Sequence, residues 1–305
     1  MKKEIKNKSI IVIAGPTAVG KTSVSIQLAK KLNCDIISAD SRQVYIEMNI
    51  GTAKPDIVEM HGIKHHFIGN VSVTQDYDVA LYEKQVNLFL ENYFKNNDVV
   101  IMTGGTGLYI EAATMGLDYF PDVESKIKSG IVELYESNGI KVLQKMLIEC
   151  DPEYYAIVDL NNPHRLIRAL SVFKQTKIPY SKFLKQKKYR NKYNILNVLL
   201  KLPRDVLYDR INKRVDVMLE KGLIDEVKGL YKYKALKSLN TVGYKEIFDY
   251  LDNKISREEA IRLIKRNSRR YAKRQMTWFN NRGKWNTFAP DDINGILEYI
   301  NRNVF

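Results

Sequence analysis

The stretch Gly15-Pro16-Thr17-Ala18-Val19-Gly20-Lys21-Thr22 constrains this chain more than any other. It fits the spacing G-x-x-x-x-G-K-[ST], and its surroundings fit as well. The apolar run Ile10-Ile11-Val12-Ile13 precedes it and reads as a buried parallel strand. A helix is predicted from Lys21 to Leu32, with Val24, Leu28 and Leu32 on one stripe. A strand that turns through glycines into a helix N-terminus makes a phosphate cradle, because backbone N–H groups and the helix dipole both favour an anion. Lys21 adds a point charge, and Thr22 a hydroxyl ligand for Mg²⁺. A glycine turn with a chance lysine is the plainer reading, and the strand-turn-helix context weighs against it.

The rest of the chain extends this start into a sheet. Residues 35–39, Asp-Ile-Ile-Ser-Ala, form a second short strand that ends at Asp40. A helical pattern over 82–94 follows, with Val86, Phe89, Leu90 and Phe94 apolar. Val99-Val100-Ile101-Met102 is a third strand, running into Thr103-Gly104-Gly105-Thr106-Gly107. Alternating strands and helices predict an α/β fold: a P-loop NTPase-like parallel sheet core flanked by helices. Beyond Gly116 the pattern turns helical, with Asp151-Pro152 and Asn162-Pro163 as helix starts. An apolar strand returns at 195–202, and long helices are predicted over 204–231 and 257–279. The expected organisation is a catalytic core of 1–118 and 195–305 around a helical insertion of 119–194.

Composition narrows the partners. The chain has 49 Lys and Arg against 35 Asp and Glu, a formal charge of +14, which favours a polyanion such as nucleic acid, an anionic membrane or a phosphorylated small molecule. No apolar stretch is long enough to span a membrane. The run after the basic start is too short for a signal peptide and meets Gly15-Pro16 at once. The two cysteines, Cys34 and Cys150, form no CxxC pair. A reducing compartment follows, with the cytoplasm as the expected location and a monomer as the expected state.

Ligands of open parallel sheets gather at the carboxyl ends of strands, so Asp40 should face the phosphate loop. There a carboxylate can orient a Mg²⁺-bound water or act as general base; capping the next turn is its structural alternative. Strand three ends in Thr103 rather than in the acid an NTPase would place there, so Asp40 also leaves an ATP-dependent small-molecule kinase open. His61, His65 and His66 lack an acid or Cys at ligand spacing, which favours structural or RNA-facing roles over a metal site.

Two basic segments point to RNA. Residues 254–284 hold eleven Lys or Arg and two acids, with Tyr271, Trp278 and Phe279 interleaved. Arg262, Arg266, Arg269 and Lys273 fall on one helical face. The stretch 182–193 adds a second, with Tyr189 and Tyr193. Guanidinium groups and aromatic rings stack on splayed RNA bases; a solvated basic face is the alternative. Arg210 and Arg214, one turn apart, can reach a diphosphate or form surface ion pairs with Asp209, Asp216 or Glu220.

These segments occur in a specific order. The phosphate loop is followed by Asp40-Ser41-Arg42-Gln43-Val44-Tyr45, Gly51-Thr52-Ala53-Lys54-Pro55, His65-His66 and Gly104-Gly105-Thr106-Gly107-Leu108-Tyr109. Then come Asn162-Pro163-His164-Arg165-Leu166-Ile167-Arg168, Arg214-Val215-Asp216-Val217-Met218, Val242-Gly243-Tyr244-Lys245-Glu246 and Arg274-Gln275-Met276-Thr277-Trp278-Phe279. The set resembles the tRNA dimethylallyltransferase family over nearly the whole chain.

The resemblance implies transfer of a dimethylallyl group from dimethylallyl diphosphate to N6 of the adenosine 3′ of the anticodon in tRNA. The loop from Gly15 through Pro16, Thr17, Ala18, Val19, Gly20 and Lys21 to Thr22 then binds the prenyl diphosphate rather than ATP, with Mg²⁺ at Thr22. Asp40 matches the general base. Ser41, Arg42, Gln43 and Thr106 match residues at the tRNA, as do His164, Arg165, Leu166, Ile167, Arg168, Gly243 and Tyr244. Arg214 is the expected diphosphate arginine and Arg210 the second choice. The chain departs from the family at His65-His66-Phe67-Ile68-Gly69, where an aspartate is expected at Gly69. It carries no zinc-finger cysteines near Phe305, as expected of a bacterial form. An adenylate isopentenyltransferase acting on free nucleotide would not need two basic segments. A non-enzymatic RNA binder would not need Lys21, Thr22 and Asp40 together.

Overall fold

In the computed structural model, which describes residues 8–184 and 192–304, the apolar runs become a single parallel sheet. The chain runs β1 (Ser9–Ala14), α1 (Lys21–Leu32), β2 (Ile36–Ser38), β3 (His65–His66), α2 (Val79–Tyr93), β4 (Val99–Gly104) and α3 (Gly107–Met115). Then follow α4 (Ser125–Asn138), α5 (Ile140–Cys150), α6 (Pro152–Tyr155), α7 (Pro163–Thr176) and β5 (Asn194–Leu200). The chain closes with α8 (Arg204–Glu220), α9 (Leu223–Gly229), α10 (Tyr244–Leu251), α11 (Arg257–Asn281), β6 (Asn286–Phe288) and α12 (Ile293–Val304).

The strand order is β3-β2-β4-β1-β5-β6, and every pairing is parallel. The α/β reading of the sequence holds. β1 is central: its six residues pair with β4 from Ser9↔Val99 to Ala14↔Gly104, and with β5 from Ser9↔Asn194 to Ala14↔Leu199. Its alternate residues feed opposite cores, as strand geometry requires. Ile11 and Ile13 pack with α1, α8 and α12, whereas Ile10, Val12 and Ala14 pack with α2, α3 and Phe279. Because β1, β2 and β4 are adjacent and parallel, the loops after Ala14, Ser38 and Gly104 open at one edge of the sheet.

Two short strands, β3 and β6, were not expected from the sequence; with two and three residues they are too short for periodicity to register. The single helix expected over 204–231 is broken, because Gly222 takes a left-handed φ of 95° that separates α8 from α9. A third cluster joins Val44, Tyr45, Met48 and Val71 to α8, α9 and α10.

The chain divides into two compact units, Met1–Thr114 with Asn191–Phe305, and Met115–Arg190. The second has its own core of Ile131, Leu143, Leu147, Tyr154, Leu166 and Leu170. Both Pro-preceded helix starts expected there form. Asp151 accepts the N–H of Tyr154 (3.0 Å), and Asn162 caps α7 with Pro163 in its first turn. Among the described residues, no helix is long and apolar enough to cross a membrane.

Candidate active site

The phosphate loop leaves β1 through Gly15 and reaches α1 through Gly20 at φ 110°. A Cβ on Gly15 would lie 2.9 Å from the Leu200 carbonyl, so only glycine fits there. No side chain caps the N-terminus of α1 and no acid lies in its first turn, so the first N–H groups are available to an anion. Lys21 Nζ donates to the carbonyls of Gly15 (3.0 Å) and Pro16 (2.8 Å). Burial lowers its pKa to about 8, against the pull of Asp40 and with a push from Arg214. Thr22 is exposed at the start of α1.

Both expected arginines of α8 reach the loop. Arg214 Nη1 donates to the Thr17 hydroxyl (3.3 Å), and Arg210 Nη1 meets the Val19 carbonyl at 3.5 Å. They are not equivalent. Arg214 is desolvated, and burial pushes its pKa down while Asp40 and Glu59 push it up; Arg210 is exposed. The half-buried guanidinium of Arg214, bonded to Thr17, is the better placed of the two to meet an anion at this loop.

The Asp40 loop faces these cations from β2. Asp40 Oδ1 accepts the N–H groups of Arg42 (2.8 Å) and Gln43 (3.2 Å), so the carboxylate does hold the next turn, as its structural alternative required. Both bonds fall on one oxygen. The loop is laced to the glycine-rich segment after β4: Ala39 N–H donates to Thr103 O (2.7 Å), Thr106 N–H to Ala39 O (3.3 Å) and Ser41 N–H to Thr106 Oγ1 (3.1 Å). A Cβ on Gly104 would sit 2.1 Å from the Ala39 carbonyl, so this crossing requires glycine.

The other expected RNA-facing residues divide. Arg42 Nη1 donates to Ser238 O (2.7 Å), and Gln43 Nε2 to Thr52 O (3.1 Å) and Ala53 O (3.0 Å), so both brace the protein's own turns. His164, Arg165 and Arg168 share the exposed face of α7, with Arg168 stacked 5.6 Å from the Phe120 ring centroid. Leu166 (0% exposed) and Ile167 (7%) are core residues of that unit and present no side chain to a partner. Tyr244 is likewise fully buried, donating to Glu226 Oε1 (2.6 Å) and packed on Gly51, where a Cβ would lie 2.5 Å from its ring. Direct contact by these three side chains is corrected to a supporting role. Gly243, at φ 95°, starts α10, and its N–H is taken by Glu246 (2.8 Å).

On α11, Arg262 is paired with Glu259 and Arg269 donates to Asn212 Oδ1 (2.6 Å), while Arg270, Lys273 and Arg274 are exposed. In the second basic segment, residues 185–191 with Tyr189 lie outside the described residues, and Tyr193 packs against Phe94. His66 pairs with Asp35 (2.8 Å) and packs at a tilt against the Phe89 ring, a structural role. Among the described residues, no group of three His, Cys, Asp or Glu could hold a metal ion. Gly69, where the family resemblance led us to expect aspartate, sits at φ 58° beside the Lys54 ammonium. That ammonium is held instead by Tyr45 O (2.6 Å) and Asn49 Oδ1 (2.8 Å).

Three residues contribute here in ways the sequence does not show: Tyr271 reads there as an RNA-stacking aromatic, Gln275 only as part of a motif, and Glu226 is not singled out. Tyr271 on α11 lies near Thr106 and Asp40, and burial pushes its pKa up to about 12. Gln275, one turn on, accepts the Thr17 N–H (2.9 Å) and donates to Gly105 O (2.9 Å). Glu226 accepts the N–H groups of Asn49, Ile50 and Gly51 at 2.7–3.0 Å. Their i,i+4 spacing places Tyr271 and Gln275 on one face, but only the fold shows that this face enters the cleft.

Comparison with known proteins places the chain in a family. The IPP transferase family model matches residues 43–282. The tRNA dimethylallyltransferase of Christiangramia forsetii is 48% identical over 97% of this chain and 98% of its own. That of Cytophaga hutchinsonii is 42% identical over 96% and 97%. The crystal structure of the full-length tRNA isopentenylpyrophosphate transferase from Bacillus halodurans superposes with a TM-score of 0.73 at 38% identity, covering 97% of this chain and 96% of that one. A structure of a eukaryotic dimethylallyltransferase acting on tRNA gives 0.76 at 29% identity, covering 97% and 76%. With its phosphate loop, its Asp40 loop and these relatives along nearly its full length, this chain belongs to the IPP transferase family.

Proposed function

We propose that this protein transfers the dimethylallyl group of dimethylallyl diphosphate to N6 of the adenosine 3′ of the anticodon in tRNA. The observation that carries this reading is that the Asp40 turn is hydrogen-bonded to the segment after β4 (Ser41 N–H to Thr106 Oγ1, 3.1 Å), which Gln275 joins in turn to the phosphate loop at Gly105 O and Thr17 N–H (2.9 Å each). A carboxylate facing an anion site suits the attack of a weak nucleophile on an allylic carbon that carries diphosphate.

The N6 lone pair forms the new bond to the allylic carbon, and the carbon–oxygen bond breaks toward the diphosphate. Asp40 takes the N6 proton, raising electron density on a nitrogen whose lone pair is otherwise delocalised into the ring. Lys21, Arg214 and the N–H groups at the start of α1 receive the negative charge that develops on the leaving group. The adenine leaves its stack to reach Asp40. His164, Arg165 and Arg168, with Arg270, Lys273 and Arg274, are offered as contacts to the anticodon stem-loop.

Oxygen donors in the cleft suit Mg²⁺, which binds through substrate phosphates and few protein ligands. Thr22 would hold it there with the diphosphate, where it would offset leaving-group charge. We further infer that the protein acts as a monomer in the cytoplasm, the setting of its tRNA substrate.

Incubation with dimethylallyl diphosphate, Mg²⁺ and unmodified tRNA, followed by digestion and mass analysis, should yield prenylated adenosine. Product on free adenylate but none on tRNA, or ATP consumed with a small acceptor, would overturn the reading.

A further inference from the structure

We propose that Gln275 is a positioning residue that sets the spacing between the leaving-group site and the base in the transfer reaction proposed above. Its buried side chain (6% exposed) is the direct link between the loops that follow β1 and β4. The amide oxygen accepts the Thr17 N–H (2.9 Å), and the amide nitrogen donates to the Gly105 carbonyl (2.9 Å). Thr17 is thereby held at two points, its N–H by Gln275 and its hydroxyl by Arg214 (3.3 Å). On the other side, Gly105 precedes Thr106, whose hydroxyl takes the N–H of Ser41, the residue after Asp40. One amide thus ties the diphosphate cradle to the segment that aims the carboxylate.

Glutamine suits this task for a chemical reason. The two loops offer a donor on one side and an acceptor on the other, and a primary amide satisfies both without charge. Burial makes each bond costly to lose. The neighbouring glycine is shaped to the contact. A Cβ on Gly105 would lie 2.2 Å from Gln275 Nε2, so any side chain there displaces the amide. Gly105 has no positive φ of its own to explain its identity.

The test uses two substitutions that break the same contact from opposite sides. Gln275→Ala removes the amide, and Gly105→Ala pushes it out. Displacing reacting groups by about an ångström costs up to roughly 10²-fold in rate, so each variant should lose roughly 10- to 100-fold in kcat. Affinity for the tRNA stem-loop should fall far less than kcat, since Gln275 is buried and both of its bonds are to loop backbone. The double variant should be no slower than Gln275→Ala alone, because the methyl then meets no amide. Binding of inorganic diphosphate, measured by calorimetry, should weaken in both single variants.

An unchanged kcat, losses that multiply in the double variant, or tRNA affinity falling as far as kcat would each overturn the proposal. If Gln275→Ala does not fold, Gly105→Ala, with Gln275→Glu keeping the acceptor alone, carries the same comparison. Wild-type enzyme that forms no prenylated adenosine would instead defeat the functional reading. The diphosphate affinities would still decide whether Gln275 braces the loop.

Discussion

The two sides of the cleft are built in opposite ways. The cradle of the phosphate side is contiguous: eight residues supply the turn, Lys21 bonds carbonyls five and six positions before it, and the outer braces at Thr17 come from afar, from Gln275 and Arg214. The Asp40 side is gathered from the whole chain. Its turn is held by Asp40 itself, by Thr106, by the carbonyls of Thr52 and Ala53 through Gln43, and by Ser238 through Arg42. The contrast follows from what each side must do. Holding an anion needs several N–H donors at the fixed pitch of one turn and one helix end, which local sequence can specify. Aiming one carboxylate at one face of a base needs walls, and those come from wherever the chain passes.

The sharpest way to break this contrast is to separate the two jobs of Asp40. Asp40→Asn keeps an oxygen for the N–H groups of Arg42 and Gln43 but cannot take a proton. It should lose roughly 10²- to 10⁴-fold in kcat, the usual worth of a general base, with little change in melting temperature. Asp40→Ala should lose the same rate and about 1 kcal/mol of stability besides, as capping oxygens typically do. Both should still bind tRNA. A fall in tRNA affinity that matches the fall in rate would make Asp40 a docking residue.

On the phosphate side, Arg214→Ala should cost roughly 10²- to 10³-fold in kcat, comparable to losing a donor at a developing anion. Arg214→Lys should recover little, because a point charge does not reproduce the reach of Nη1 to Thr17. Arg210→Ala, which removes an exposed group at 3.5 Å from a carbonyl, should cost far less. Equal losses would put the two arginines in one shared role.

These residues also mark what sequence alone made visible. Residues 15–22 with the strand before and the helix after were legible because the chemistry is local, and Asp40 because strand ends in a parallel sheet converge. Tyr244 shows the opposite. It lies in a segment that looked RNA-facing, yet it is buried on Gly51, and two separate sequence segments turn out to be the two halves of one packing contact. Glu226 carried no signal, since a carboxylate on an exposed-looking helix has ordinary surroundings in sequence, and Gln275, though part of a motif, gave no hint of the two loops it joins. The break at Gly222 was missed because helical periodicity continues on both sides of it.

The pH dependence should single out the phosphate side. Lys21 is depressed to about 8, so it is a cation below that value and loses its charge as pH rises through it. Specificity for the diphosphate substrate, kcat/KM, should therefore hold up to about pH 8 and fall above it by up to about tenfold per unit, since this parameter reports the free enzyme. Lys21→Arg should remove that limb while lowering the plateau, because arginine stays charged. A limb that persists in Lys21→Arg belongs to another group.

The smallest expected effect tests how far the Asp40 side depends on remote support. Glu226 takes three backbone N–H groups of the 49–51 turn and the Tyr244 hydroxyl. That turn leads directly to the Thr52 and Ala53 carbonyls that hold Gln43, and Gln43 N–H is one of the two groups on Asp40. Glu226→Gln keeps the shape but removes the charge and replaces one acceptor oxygen with an amide NH2 donor. Charge-assisted bonds of this kind are worth about 1.5–3 kcal/mol, so melting temperature should fall clearly. The rate should fall only a few-fold, because two covalent turns and the Gln43 amide stand between Glu226 and the carboxylate. Diphosphate affinity should not move, since among the described residues the contacts of Glu226 lead to the Asp40 side, and the cradle lies one further step away, across the Gln275 bridge. If it does move, that bridge carries remote changes into the cradle, and the contrast between a locally written cradle and a remotely braced carboxylate fails.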